Sequence, residues 1–362
     1  MFTTNTSSTS LCYNLKMRLS VLFYIAILVL PVITFAGNEQ RAGQAGAGEL
    51  LINPWARSTG WGGANSSCVM GLESIFLNVA GTAFTPRTEL MFVRTNWLSG
   101  SDVALNSFGF SQKMGESGVL SLAIMTVDFG EIEITTVDLP DGGIGKFHPQ
   151  YTNIAIAYAK EFSNSIYGGI TVKVISEKTA NTAASGVAFD AGIQYVTGSD
   201  QQIRFGISMK NVGPTMKFSG DGLSFRGDVP ATGVSMTVEH RSADYELPTL
   251  IMIGGSYDLN FSEKQKLTIA GNFTSNAFTK DQYQIGAQYV YNDILFLRGG
   301  YVYEDGITDI ETRTTAFTGP TAGVSIQVPL NSEKGSVFSL DYSYRATNPF
   351  NGVHSIGARV SL

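Results

Sequence analysis

The chain has 362 residues, of which 15% are charged, well below the roughly 25% of an average soluble domain. Its formal net charge is −6 and no Lys/Arg cluster occurs, which excludes a nucleic-acid partner that would need phosphate neutralisation. Two cysteines (Cys12 and Cys68) and three scattered histidines offer no disulfide framework and no metal-ligand spacing, so no cofactor or metal is expected.

The first 36 residues read as a signal peptide, with Met17 as an alternative start. Lys16 and Arg18 precede an apolar run from Leu19 to Val32, and Thr34 and Ala36 supply the small residues before a cut. That run is too short to span a bilayer and fits an export signal instead. Losing Lys16 and Arg18 with the leader leaves 22 basic against 30 acidic residues, a net charge of −8.

Residues 37–86 are rich in Gly and Ala and carry two apolar clusters, Leu50 to Ile52 and Ser74 to Leu77, the second suited to a short helix. A segment of this length, ahead of a barrel too wide for its own side chains to fill, is expected to fold inward as a plug. The alternative is a loose periplasmic linker.

From residue 87 onward the pattern is period two. Tyr283, Ile285, Ala287 and Tyr289 share one face of a segment whose other face is Gln282, Gln284, Gly286 and Gln288. Alternation of this kind gives each strand a lipid side and a polar side. We read fourteen strands, at 87–97, 102–111, 119–128, 151–160, 166–176, 186–196, 202–211, 248–258, 266–275, 282–292, 294–304, 320–329, 336–346 and 352–362. Segments of ~10 residues exceed the ~5–6 typical of sandwich strands and match outer-membrane barrels. Trp97, Tyr151, Tyr158, Tyr167, Tyr257, Tyr291 and Tyr303 stand near strand ends, where interfacial girdles lie.

Connections after even-numbered strands are short, whereas 129–150, 177–185, 212–247 and 305–319 follow odd-numbered strands. Long loops confined to one parity predict an all-β, even-stranded antiparallel transmembrane barrel, with both chain ends on the periplasmic side. The alternating stretch Glu131 to Asp138 would break that parity and is placed in an outer loop, as a strand extension above the membrane. Loops of this length are functional or disordered. Their aromatics Phe147, Phe218, Phe225, Tyr245 and Phe317 are candidate partner-binding residues, or else pack loop on loop. Glu131 and Glu133 form no recognisable acid/base constellation, and His148 has no Gly-x-Ser-x-Gly companion, so no catalytic residue is assigned.

Two motifs carry a resemblance. Leu50 to Ser58, containing Asn53, Pro54 and Arg57, followed by Gly60 to Ala64, is similar to the N-terminal signature of the PorV/PorQ family. Phe76 to Gly81, containing Asn78 and Gly81, resembles the Asn-Pro-Ala-Gly motif shared with FadL-type long-chain fatty-acid transporters, with Val79 where Pro is usual. Asp128 to Asp138 and Tyr158 to Ser163 are similar to the PorV branch. The resemblance implies a FadL-like barrel of about fourteen strands and a shuttle role in the type IX secretion system. Such a shuttle takes cargo by its C-terminal signal domain from the SprA (Sov) translocon. It then delivers the cargo to the attachment complex containing the PorU sortase. The competing implication is a FadL-like transporter of long-chain acids or other hydrophobic compounds.

Overall fold

The computed structural model describes residues 39–229, 233–331 and 335–362; the leader falls outside them. The strands are β1 Thr88–Trp97, β2 Val103–Met114, β3 Gly118–Asp128, β4 Ile132–Glu133, β5 Lys146–Phe147, β6 Gln150–Ser163, β7 Ile166–Thr179, β8 Thr182–Thr197 and β9 Ile203–Val212. They continue as β10 Ser224–Val229, β11 Val234–Glu239, β12 Leu250–Ser262, β13 Gln265–Asn276, β14 Gln282–Tyr291, β15 Leu295–Glu304, β16 Phe317–Asn331, β17 Ser336–Thr347 and β18 Val353–Ser361.

Fourteen of these strands close into one antiparallel barrel in chain order, sealed by β1 against β18 from Glu89↔Ser361 to Asn96↔His354. β4–β5 and β10–β11 are separate two-stranded sheets within connecting loops. All fourteen expected strands are present, with bounds shifted by a few residues. Closure satisfies every edge, which is what permits a sheet to stand in hydrocarbon.

Alternation decides the faces. Ile285, Ile253 and Ile356 are exposed on the outer wall, while Gln284, Asn272 and Ser355 are buried inside. The same parity corrects part of the expected girdle. Tyr158, Tyr257, Tyr291 and Tyr303 lie on the exposed face. Trp97, Tyr151 and Tyr167, being out of phase, turn inward: Trp97 and Tyr151 pack on the luminal core, and Tyr167 stacks on Phe84 at 4.1 Å.

Two loop expectations also change. The 177–185 segment is not a loop: β7 and β8 run on to Thr179↔Thr182 and turn over Ala180 and Asn181. Ala180 takes the left-handed conformation that this tight turn demands, φ 44°. Of Glu131 to Asp138 only Ile132 and Glu133 form a strand, paired with Lys146 and Phe147.

Residues 39–86 form no barrel strand. They run as short 3-10 turns at Glu39–Arg41, Gly48–Leu51, Gly71–Phe76 and Val79–Phe84, plus helix α1, Ala56–Gly60. The α1 helix touches β15 to β18, and the Val79–Phe84 turn touches β3 and β6 to β8. These are opposite arcs of the wall, so the segment crosses the lumen. Its backbone approaches closely at Gly300, where an added Cβ would lie 2.2 Å from the Trp61 carbonyl oxygen. Glycine there is a packing requirement.

Candidate functional site

The lumen is two-sided, and the plug separates the sides. On the β1–β2–β3–β6 arc Met91, Val93, Leu105, Ala123, Met125 and Val127 face inward as an apolar cluster, set among the buried polar side chains Thr95, Ser107, Ser121 and Asn153. They pack on Trp55, Leu72, Ile75 and Phe76 of the plug. Trp97, Val103, Phe129 and Tyr151, at or next to the loop-bearing ends of these strands, continue the cluster to the outer rim. An apolar column therefore descends from the outer mouth to mid-lumen, interrupted on the wall by Thr95, Ser107 and Asn153.

The β15–β18 arc is charged. Arg57 Nε of the plug meets Asp341 Oδ1 at 3.0 Å, and Arg359 meets Glu89 Oε1 at 3.2 Å. The other oxygen of Glu89 accepts the Leu72 backbone N–H at 2.7 Å. Arg298 donates to Gln288 at 2.7 Å and to Ser325 at 2.6 Å. Glu73 accepts from Ser58 at 3.3 Å, and burial holds its carboxyl above the usual range. These pairs tie the plug to the wall; losing one partner would strand a buried charge.

A second polar knot faces them. Lys173, fully buried, meets Asp190 at 2.6 Å and Asn211 at 2.7 Å. Lys210 donates to the carbonyl of Phe76 at 2.6 Å, and Asn211 reaches the carbonyls of Leu50 and Pro248.

The motif residues sit at the plug's centre. Asn78 caps the Val79–Phe84 turn by accepting the Ala80 N–H at 3.2 Å. Its amide donates to Ser66 O at 3.0 Å and to Ile193 O of β8 at 3.2 Å. One side chain thus joins two plug turns to the wall. Gly81 is fixed by crowding, because a Cβ would fall 2.1 Å from Val69 O. Asn53 accepts the Trp55 N–H at 3.1 Å, a local turn that sets the chain into Pro54, which is buried. Val79 fills the position where Pro is usual and packs in the apolar cluster.

At the outer mouth, Gly46 donates to the Glu246 carbonyl at 3.0 Å, and Arg41 pairs with the Glu246 side chain. Glu49 is 5% exposed and neither of its carboxylate oxygens has a hydrogen-bond donor. Burial, and then the adjacent Glu177, push its carboxyl up to about 8. Glu177 accepts the Tyr245 hydroxyl at 2.5 Å.

The five loop aromatics do not form one surface. Phe218 and Tyr245 pack together at 5.7 Å over the mouth. Phe317, half-buried, is edge-on to Trp97 at 5.7 Å and covered by Arg345 at 3.7 Å. Phe147 is half-buried in β5. Among the five, only Phe225 is exposed, stacked on His240 at 4.2 Å. Glu131 and Glu133 are exposed and held by Lys146 at 3.0 and 3.5 Å, and His148 meets Asp128 at 2.9 Å. No group of three or more His, Cys, Asp or Glu suited to a metal exists among the described residues.

Motif reading missed Lys173, Glu177, Asp190 and Lys210. Their signal was present: each occupies the inward phase of its strand, where a charge must find a partner in the lumen.

No protein-family model matches the chain, and no curated protein matches it. Solved structures do. The CymD monoaromatic hydrocarbon channel is 13% identical with a TM-score of 0.50, over 86% of this chain and 97% of that one. The P. putida toluene transporter TodX is 10% identical with a TM-score of 0.50, over 85% and 97%. A Pseudomonas aeruginosa FadL homologue is 11% identical with a TM-score of 0.50, over 84% and 98%. At such identities the likeness speaks to fold, and the fold is that of a FadL-like outer-membrane barrel of fourteen antiparallel strands.

Proposed function

We propose that this barrel passes hydrophobic compounds across the outer membrane, with the plug as its movable element. The observation that carries this reading is the apolar column along β1, β2, β3 and β6, which joins the outer rim to the plug. A lumen lined only to stay filled with water would be polar all round. The apolar residues of this arc are packed against Trp55, Leu72, Ile75 and Phe76 of the plug, so a shift of the plug is what would open them as a track for a hydrophobic molecule. Solved barrels of this fold include a hydrocarbon channel and a toluene transporter. The test is uptake of a radiolabelled long-chain acid or toluene by cells carrying the wild type, a deletion, or Leu105→Asp and Met125→Asp. Uptake should fall in the deletion and in both variants at equal surface level. Equal uptake in the deletion rejects the reading.

A second reading, the type IX shuttle, is favoured by the β10–β11 hairpin. Phe225, Val234 and Met236 stand on one face of it, and all three are exposed. An apolar face on a free-standing strand pair suits capture of a folded cargo domain. On this reading the partners are C-terminal signal domains, the SprA (Sov) translocon and the PorU-containing complex. A pull-down from detergent-solubilised outer membranes distinguishes the two. Recovery of a hydrophobic acid with neither translocon nor cargo rejects the shuttle.

A further inference from the structure

The apolar outer wall is far from even in height. On β16, Pro320, Ala322, Val324, Ile326 and Val328 share the outward phase without a polar residue between them. Two residues advance ~6.7 Å along a strand, and at a tilt of ~40° each outward position adds ~5 Å of height. Five positions make ~25 Å, the height of an ordinary lipid-facing band.

On β1 the outward series is Thr88, Leu90, Phe92, Arg94, Asn96. Only Leu90 and Phe92 are apolar, so the band there is ~10 Å tall by the same reckoning. The neighbouring strand repeats the limit in register: Asn106 pairs with Arg94, Phe108 with Phe92, Phe110 with Leu90 and Gln112 with Thr88. Thr126 of β3 and Thr152 of β6 extend the polar row from Asn106. The outer turn from β1 to β2 is only residues 98–102, so no long loop rises over this sector.

Arg94 is exposed, and its guanidinium has no hydrogen-bond or ion-pair partner among the described residues. It acts on Asp128 only through space. A cation at that level cannot face hydrocarbon at low cost. A short band makes the bilayer thin locally.

We propose that the β1–β2 face binds the phosphate headgroups of outer-leaflet lipid, drawn inward to Arg94, so that the membrane is pinched along this sector of the wall. The occupant is a lipid surface because the row combines a cation without a bonded partner with the neutral hydrogen-bonding groups Asn96, Asn106 and Thr126, the one carboxylate nearby, Asp128, being engaged by His148 at 2.9 Å. That set answers a phosphate rather than an acyl chain. The inference is independent of the proposed transport.

Spin labels test it on the chain from residue 37 onward, which lacks Cys12, in a Cys68→Ala background, reconstituted in phosphatidylethanolamine–phosphatidylglycerol vesicles. Labels enter by Phe92→Cys on β1 and Ile326→Cys on β16, and depth is read from collision with oxygen against a nickel chelate. The β1 label should read close to the headgroups and the β16 label near the bilayer centre. Arg94→Leu should shift the β1 label toward the β16 value, and Arg94→Lys should leave it. Heat-modifiable gel migration verifies that each variant is a closed barrel. Equal depth at the two sites, or no shift in Arg94→Leu, overturns the proposal. So does exclusion of both reagents from the β1 label in native membrane fragments, which would put a protein partner there.

Discussion

Replacing Glu49 by Gln isolates the one plug carboxyl at the outer mouth that folding must protonate. With Glu177 beside it, Tyr245 bonded to Glu177 and Tyr151 on the neighbouring strand, Glu49 has acids and phenols around it and no cation within bonding reach. A carboxyl raised from 4.5 to about 8 on docking weakens docking by ~1.4 kcal/mol per pH unit across that interval. The sign follows from linkage. The docked state binds the proton more tightly, so docking is strongest below pH 4.5, declines as pH rises to about 8, and is level above it. The full span is ~5 kcal/mol, and at pH 7 about 3 kcal/mol of it is already lost. Gln keeps the shape and does not titrate. Hydrogen exchange of residues 43–52 in micelles, corrected for intrinsic rates, should show protection falling from pH 5 to 8 in the wild type. In Glu49→Gln it should be flat and higher at pH 7. A wild-type profile without slope, or the same slope in both proteins, refutes the reasoning.

Other outcomes follow from the plug's contacts. Gly300→Ala should push the Trp61 turn off the wall, because the new methyl would meet backbone at 2.2 Å; single-channel recordings in planar bilayers should show openings that the wild type lacks. Arg57→Met leaves Asp341 buried without its 3.0 Å partner, a loss of ~3–5 kcal/mol read as a lower midpoint in heat-modifiable migration. Adding Asp341→Leu should recover most of that loss. Asn78→Ala removes the 3.0 Å donor from the Ser66 carbonyl, leaving it only Gln194 at 3.4 Å, and takes the cap from the Ala80 N–H, at ~1–2 kcal/mol. Hydrogen exchange should rise across residues 66–80 while β8 stays protected.

The barrel was legible because its determinants are local. Outward Ile285 against inward Gln284 states the face of a strand by itself, and short turns on one side fix the count. The girdle was misjudged at Trp97, Tyr151 and Tyr167 because proximity to a strand end was weighed without phase. The 177–185 span looked like a loop since Ser176, Glu177 and Lys178 are polar, yet a ladder that rises clear of lipid has no need of an apolar face. The plug's grip on the wall was not legible. Arg57 and Asp341 lie 284 residues apart, and no local pattern announces such a pair. The resemblance singled out Asn78 and Gly81, but their roles, one bridging turns and the other yielding to Val69, required coordinates.

The seam between the first and last strands also sets an order of assembly. The plug precedes β1 directly in the chain, and β1 is the strand that the C-terminal β18 must find. With Trp61 lodged against Gly300 on one arc and Val79 crowding Gly169 on the other, the plug fills the bore too closely to be threaded in afterwards. The folded plug is therefore expected to nest in the half-formed sheet before the C-terminus arrives, so that the final ladder to zip up also encloses the stopper.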